Sequence, residues 1–304
     1  MTITVIILTK NEERHIARAL ASVAGLATRF YVIDSGSTDR TLEIAREAGA
    51  VVLENAWLNH ATQFNWALEQ LPPETEWVLR LDADEYLEPE LAEEIGGRLH
   101  KLGPRILGVY VPRRMAFLGR RIRHGGVFPV WVLRLFRYGE GRCENRWMDE
   151  HIFVEGETEQ FGAGELIDDN HNSLTWWTQK HNAYASREVV DLLNLERRFM
   201  PHETVANLRG GRQVGVKRWM KEQVYARLPG GARALFYFLF RYVLRLGFLD
   251  GREGAAFHVL QGFWYRYLVD AKMHELRLYM RRNDVDAVTA IRDVLGINVK
   301  NQIQ

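Results

Sequence analysis

The chain has 304 residues, 47% of them hydrophobic, which suits one large globular domain or a domain with an elaboration. Its formal net charge of +1 gives no bulk reason to bind nucleic acid, and its one cysteine, Cys143, excludes an intramolecular disulfide and fits a reducing compartment. The opening lacks the pattern of a secretory signal, and no charge-free apolar run reaches the roughly 18 residues that a membrane-spanning helix needs.

In chain order, "ITVIIL" (3–8) is apolar throughout, as in a strand buried on both faces. Ile16, Leu20, Val23 and Leu26 then recur at helical spacing over 11–26. "RFYVID" (29–34) predicts a second strand, and 36–50 a helix entered through a Ser/Thr/Asp-rich turn and ended by Gly49. "VVLE" (51–54) is a short third strand, 60–71 a helix stopped by Pro72-Pro73, and "EWVLRLDADE" (76–85) a fourth strand ending in acids. Repeated βα units imply an α/β fold with a parallel sheet and helices on both faces, and such sheets bind ligands at the carboxyl ends of their strands. Residues 106–165 have strand and turn character, as in an antiparallel extension of the sheet, and from about 172 the pattern is mostly helical. Two zones are basic: 105–146 carries ten Lys/Arg against Glu140 and Glu144, and 209–245 carries nine against Glu222. Such local zones on a neutral chain point to anionic ligands or an anionic surface.

"LRLDADEYLEP" (79–89) crowds Asp82, Asp84 and Glu85 at a strand end, where they repel one another, so a cation is expected among them. Asp82 and Asp84 are two apart and share one side of an extended segment, which suits a hard divalent ion, Mg²⁺ or Mn²⁺, held jointly with substrate phosphates. The commoner explanation of an isolated D-x-D is a solvated turn, but here an apolar strand, three βα units and a basic zone surround it. "DSGSTDRT" (34–41) puts Asp34 at the end of the second strand, with Gly36 for a tight turn and Ser37, Thr38 and Asp39 as helix-capping residues. Neither G-x-G-x-x-G in that turn nor a P-loop anywhere is present, which argues against a nicotinamide dehydrogenase and a P-loop nucleotidase.

"ILTKNEERHI", "VIDSGSTDRT", "QFNWAL" and "WVLRLDADEYL" occur in the order and spacing of family 2 glycosyltransferases, and the chain resembles that family over 1–90, more loosely through 131–156. The looser part is similar to bacterial members that build lipopolysaccharide core or exopolysaccharide. The resemblance implies a GT-A nucleotide-sugar-binding domain over 1–170 and a helical C-terminal region over 171–304. It implies an inverting, metal-dependent transferase moving a sugar from a nucleotide-diphosphate sugar, a UDP-sugar foremost, to a glycan or lipid-linked acceptor. It gives Asp84 to the metal and Asp82 to ribose or the metal's outer shell. Thr9, Asn11, Glu12, Asp34, Gln63 and Asn65 fall to the nucleotide-sugar, and Glu150, with Asp149 as runner-up, to the general base. Glu85 and His151 fall to the acceptor side. Relatives carry a cation where this chain has Phe64, so Arg134 or Arg137 is expected near the diphosphate. Strand alternation puts these two on opposite faces, so at most one faces the diphosphate unless a bulge intervenes, and Arg134 is preferred.

No His pair has the spacing of a zinc helix, so His171 and His181 are expected in acceptor-side or packing contacts. "RALFYFLFRYVLRLGFL" (233–249) is apolar, aromatic and basic, with Arg241 and Arg245 expected on one helical face. Such a helix suits peripheral attachment at the cytoplasmic face of a membrane, or else a homodimer interface. Two rival classes are weaker. A sugar nucleotidylyltransferase would need a Gly-rich first loop where "TKNEE" has no glycine, and a non-catalytic glycan-binding protein would not need Asp82, Asp84 and Glu150.

Overall fold

The computed structural model describes residues 1–144, 151–200 and 231–299. They form two compact units, one up to Glu144 and from His151 to His171, the other from Asn172 onward.

The first unit begins with β1 (Ile3–Thr9), α1 (Ile16–Val23), β2 (Arg29–Asp34), α2 (Thr41–Glu47), β3 (Val51–Glu54), α3 (His60–Glu69) and β4 (Trp77–Asp82). β1 lies parallel between β2 and β4, and β3 extends the edge beside β2. Burial on both faces explains why β1 is apolar apart from Thr4 and Thr9. Ile3, Val5 and Ile7 pack with Ile16, Leu20 and Val23 of α1 on one face, while Ile6 packs with Phe64 and Ala67 of α3 on the other. Fully burying each large aliphatic side chain is worth about 1.5–3 kcal/mol, so a single polar substitution in β1 would weaken the layer on the face it occupies.

β5 (Glu85–Leu87), α4 (Pro89–Arg98), β6 (Ile106–Phe117), β7 (Arg120–Arg121), β8 (Val130–Arg137), β9 (Gly141–Cys143), β10 (Ile152–Val154), β11 (Glu157–Gln160) and β12 (Leu166–Asp169) follow. The main sheet runs β3-β2-β1-β4-β8-β6-β12-β5. β8 is antiparallel to both β4 and β6, so the second half of the unit extends the parallel half-sheet as a mixed one. β12 lies between β6 and β5, and this brings its acids beside the turn that follows β4.

In the second unit Ser173 caps α5 (Leu174–Arg197) by accepting from the Trp176 N–H at 3.2 Å. Ala185, Val189 and Leu193 of α5 share a core with Val269, Met273 and Leu276 of the helix Tyr265–Asn283. Among the described residues no helix is long and apolar enough to cross a membrane.

Candidate active site at the carboxyl end of strand β4

The cation expected among the acids is a guanidinium. Arg134 is 4% exposed, and its Nη2 donates to Asp82 Oδ2 at 2.8 Å and to Glu85 Oε1 at 2.5 Å. Arg80 approaches the other Asp82 oxygen at 3.4 Å. Arg113 of β6 lies 3.7 Å from Glu85 and 3.9 Å from Asp168 of β12. Three carboxylates (Asp82, Glu85, Asp168) thus meet three guanidinium groups drawn from β4, β6 and β8, and the charge of Asp84 acts on Glu85 and Asp168. Burial pushes the Asp82 carboxyl up, but Arg134 and Arg80 outweigh it and hold it well below the usual carboxylate range. Burial of Glu85 wins over Arg134 and raises its pKa. Burial, reinforced by the charge of Asp84, pushes Asp168 up to about 7.

Arg137 does not join this cluster. Because β8 runs against β4, Arg137 pairs with Trp77 at the start of β4, where it donates to the Ile106 carbonyl at 3.0 Å and covers the Trp77 ring at 4.7 Å. Phe64 is fully buried, with Arg80 lying 5.7 Å over its ring. The Arg80 Nη2 also donates to Nε2 of His60 at 3.0 Å. Burial and the Arg80 charge push the His60 pKa down to about 3, which keeps that nitrogen an acceptor. Much of the basic zone is answered within the unit, since Arg114 pairs with Glu165 and Arg121 with Glu88 at 2.5 Å.

The loops after β1 and β2 are tied together. Asp34 is 1% exposed and accepts from Thr9 Oγ1, the Gly36 and Ser37 N–H groups and Ser37 Oγ. Those four bonds fill the capacity of a carboxylate, so contact with a nucleotide base would have to displace one of them. Asn11 takes a left-handed φ of +58°, which Asn tolerates better than most residues, and its Oδ1 accepts from the Thr38 N–H at 2.8 Å. The Glu12 N–H donates to Thr41 Oγ1 at 2.7 Å, and Glu12 Oε2 lies 2.6 Å from His15 Nδ1. Gln63 and Asn65 hold α3 in place. Gln63 Nε2 donates to the Asn55 carbonyl at 3.0 Å, and Asn65 exchanges two bonds with the Cys143 backbone. His151 is an exposed residue before β10 whose carbonyl accepts from the Glu144 N–H at 2.9 Å. The base candidates Glu150 and Asp149 lie outside the described residues.

Residues 4–154 match the model for Glycosyl transferase family 2. This stretch is a family 2 glycosyltransferase domain. An uncharacterised glycosyltransferase of Rickettsia typhi is 43% identical over 93 residues, 31% of each chain, and one of Rickettsia felis is 44% identical over 93 residues. The match therefore spans about a third of the length of these curated relatives. Among solved structures, glucosyl-3-phosphoglycerate synthase from Mycobacterium tuberculosis, in complex with Mn²⁺, UDP and glucosyl-3-phosphoglycerate, is 24% identical with a TM-score of 0.32. It covers 38% of this chain and 44% of that one. A mycobacterial protein is 18% identical with a TM-score of 0.42, covering 61% and 74%.

The donor set of this glycosyltransferase domain separates the two acids of the D-x-D. Asp82 has both oxygens engaged by guanidinium groups, whereas the half-buried carboxylate of Asp84 accepts, among the described residues, only from Asn170 Nδ2, at 2.9 Å on Oδ2. Among the described residues no group of three or more His, Cys, Asp or Glu gathers into a metal cage. Mg²⁺ and Mn²⁺ sites completed by phosphates do not need one. Asp84 fits such an ion, and the surplus carboxylate around it favours added positive charge. Arg113, Asp168 and Asn170 were not singled out from the sequence. The signal for Asp168 and Asn170 is "IDDNHNS", an acid pair closing a strand just before the helical region, and that for Arg113 is the basic zone of 105–146.

Asp168 carries a stability signature. Its folded pKa of about 7 lies above the ordinary value of 3.8. The folded state therefore holds the extra proton, and the penalty for losing it grows as pH rises from about 4 to about 7, then levels off. Asp168→Asn is expected to raise the thermal midpoint of the metal-free protein at pH 8, with a smaller gain at pH 5. Equal gains at both pH values would contradict this.

Proposed function

We propose that the chain is an inverting glycosyltransferase that moves a sugar from a UDP-sugar to a hydroxyl of a glycan or lipid-linked glycan in cell-envelope polysaccharide synthesis. The observation that carries this reading is Asp84, a carboxylate in the turn after β4 with Oδ2 held by Asn170 and, among the described residues, no hydrogen bond on its other oxygen. Asp84 would hold Mg²⁺ or Mn²⁺, which when bound supplies positive charge to a diphosphate leaving group. Arg134 holds Asp82 and Glu85 in place, so neither carboxylate swings into the donor's path. The tied loops of Asn11, Glu12 and Asp34 form the nucleotide side. Glu150, or Asp149, takes the proton of the attacking hydroxyl, and inversion follows from attack on the face opposite the diphosphate. The test is incubation with a panel of UDP-sugars and Mn²⁺ while UDP release is followed. Sugar-nucleotide synthesis from UTP, or binding without turnover, would refute the reading.

The same reading has a lipid surface as its partner, supported by a segment turned inside out. Nine large apolar residues between Leu235 and Leu249 are exposed, among them Phe236 at 59% and Leu244 at 73%, while Arg241 is 4% exposed between the rings of Tyr237 and Phe257. Arg241 and Arg245 do not share the polar face expected for them. Phe240–Leu244 winds as a π-helix, with the Arg245 N–H bonded to the Phe240 carbonyl at 2.8 Å, so residues four apart no longer stack. Phe236→Ser with Leu244→Ser is expected to weaken flotation with anionic vesicles by about tenfold or more, as two exposed apolar side chains lose their burial in lipid. Unchanged flotation, or a concentration-dependent dimer in place of vesicle binding, would contradict it.

A further inference from the structure

Asp84 sits in the turn between β4 and β5, and a strap of three residues at the end of the first unit holds that turn. The Asp169 N–H donates to the Asp84 carbonyl at 3.0 Å, and Asn170 Nδ2 donates to Asp84 Oδ2 at 2.9 Å. The strap is fastened in turn to α1. Arg18 donates from Nη1 to Asp169 Oδ2 at 2.6 Å and from Nη2 to the Asp169 carbonyl at 2.5 Å. Arg18 Nη2 also reaches the Asp84 carbonyl at 3.4 Å, and the guanidinium lies 4.6 Å over the ring of Tyr86. The His171 N–H donates to His15 Nε2 at 2.8 Å, which leaves the imidazole proton on Nδ1 to be donated to Glu12 Oε2 at 2.6 Å. His15 is 1% exposed, so this last tie is sheltered from water. Asp84 is therefore clamped to the loop that bears Asn11 and Glu12 by residues some 85 positions further along the chain.

We infer that Asn170 is a positioning residue for Asp84: it fixes one carboxylate oxygen and thereby sets the direction in which the other meets a cation, while Arg18 and Asp169 hold Asn170 in register. The inference rests on the reading of Asp84 as the metal-holding acid. An outer partner of a metal-binding carboxylate orients it and raises its affinity, and removing such a partner typically weakens metal binding by about 10–100-fold. A side chain that only closed the fold would leave metal affinity untouched whenever the fold survived.

The experiment is a Mn²⁺ titration of the full chain with UDP present, followed by calorimetry, on the wild type and on Asp84→Ala, Asn170→Ala and Arg18→Lys. Thermal midpoints are measured without metal. The wild type should bind Mn²⁺, Asp84→Ala should not, and Asn170→Ala should bind about 10–100-fold more weakly with its metal-free midpoint unchanged. Excess Mn²⁺ should restore the rate of Asn170→Ala but not that of Asp84→Ala. Arg18→Lys keeps the charge, loses the two-pronged grip on Asp169, and should weaken Mn²⁺ binding in the same direction. If Asp84→Ala abolishes binding while Asn170→Ala and Arg18→Lys bind as the wild type does, the inference fails and the reading of Asp84 stands. If Asp84→Ala binds Mn²⁺ normally, or the wild type binds none, the reading fails and the inference with it. Weakened binding in step with a lowered metal-free midpoint in both variants would make the strap purely structural and overturn the inference.

Discussion

Asp84→Asn is expected to lower sugar transfer about a thousandfold at saturating donor and Mn²⁺, equivalent to roughly 4 kcal/mol of transition-state stabilisation. Asparagine is isosteric and still offers Asn170 an oxygen to bond, so what changes is the charge. Asp84 is only half-buried and lies outside the apolar clusters that hold the sheet together. Its replacement should therefore leave the denaturation midpoint of the metal-free protein near that of the wild type. A small gain is the expected sign, since the Asp84 charge raises the pKa of Asp168 and that strain would ease. Asp82→Asn should behave differently. It strands Arg134, buried beside Glu85, with one charged partner fewer, so stability falls along with rate. Steady-state UDP release and urea unfolding on the two variants separate the roles. A rate for Asp84→Asn within tenfold of the wild type would dismiss Asp84 as the metal-holding acid.

The parallel half-sheet was legible because its signals are local. The apolar run of 3–8, the helical spacing of Ile16, Leu20 and Val23, and the stop at Pro72-Pro73 each act within one element. The position of the acids at the end of β4 followed from the same periodicity. What answers those acids was less legible. Strand alternation separates Arg134 from Arg137, but the place of Arg134 between Asp82 and Glu85 depends on β8 inserting antiparallel between β4 and β6, a pairing that spans more than fifty residues. Arg113 and Asp168 reach the cluster through β6 and β12, and no local pattern in "VPRRM" or "LIDDN" reveals that their strands are neighbours. Asp34, Gln63 and Asn65 look like ligand-facing polar residues in the sequence, yet in the structure their polar atoms bond the protein's own loops. A buried polar side chain near a site looks the same in sequence whether it faces a ligand or its own backbone.

Arg134→Met should be the most destabilising single change in the first unit's polar interior, by about 3–5 kcal/mol at pH 8. Methionine fills a similar length without charge, so the cost arises from what remains. Glu85 is 1% exposed and would keep only the Asp82 N–H at 3.2 Å and Arg113 at 3.7 Å. The effect depends on pH with a definite sign. In the wild type Asp82 is held below the usual carboxylate range, so its contribution is present above its unfolded pKa and is lost as pH falls through the depressed folded value. Removing Arg134 forfeits its share of that contribution, leaving that of Arg80, and raises the pKa of Glu85 further above its ordinary value. The Glu85 penalty is absent where both states are protonated, grows as pH rises past about 4, and is complete above the raised folded pKa. The loss should therefore be larger at pH 8 than near pH 4, where the Glu85 part is largely gone and the Asp82 part remains. Adding Glu85→Gln removes the stranded charge and should return part of the stability at pH 8 and little at pH 4. Urea unfolding of the single and double variants at the two pH values checks this. A loss independent of pH, or no recovery in the double variant, would mean that Arg134 stabilises the unit through packing rather than as the cation between two buried acids.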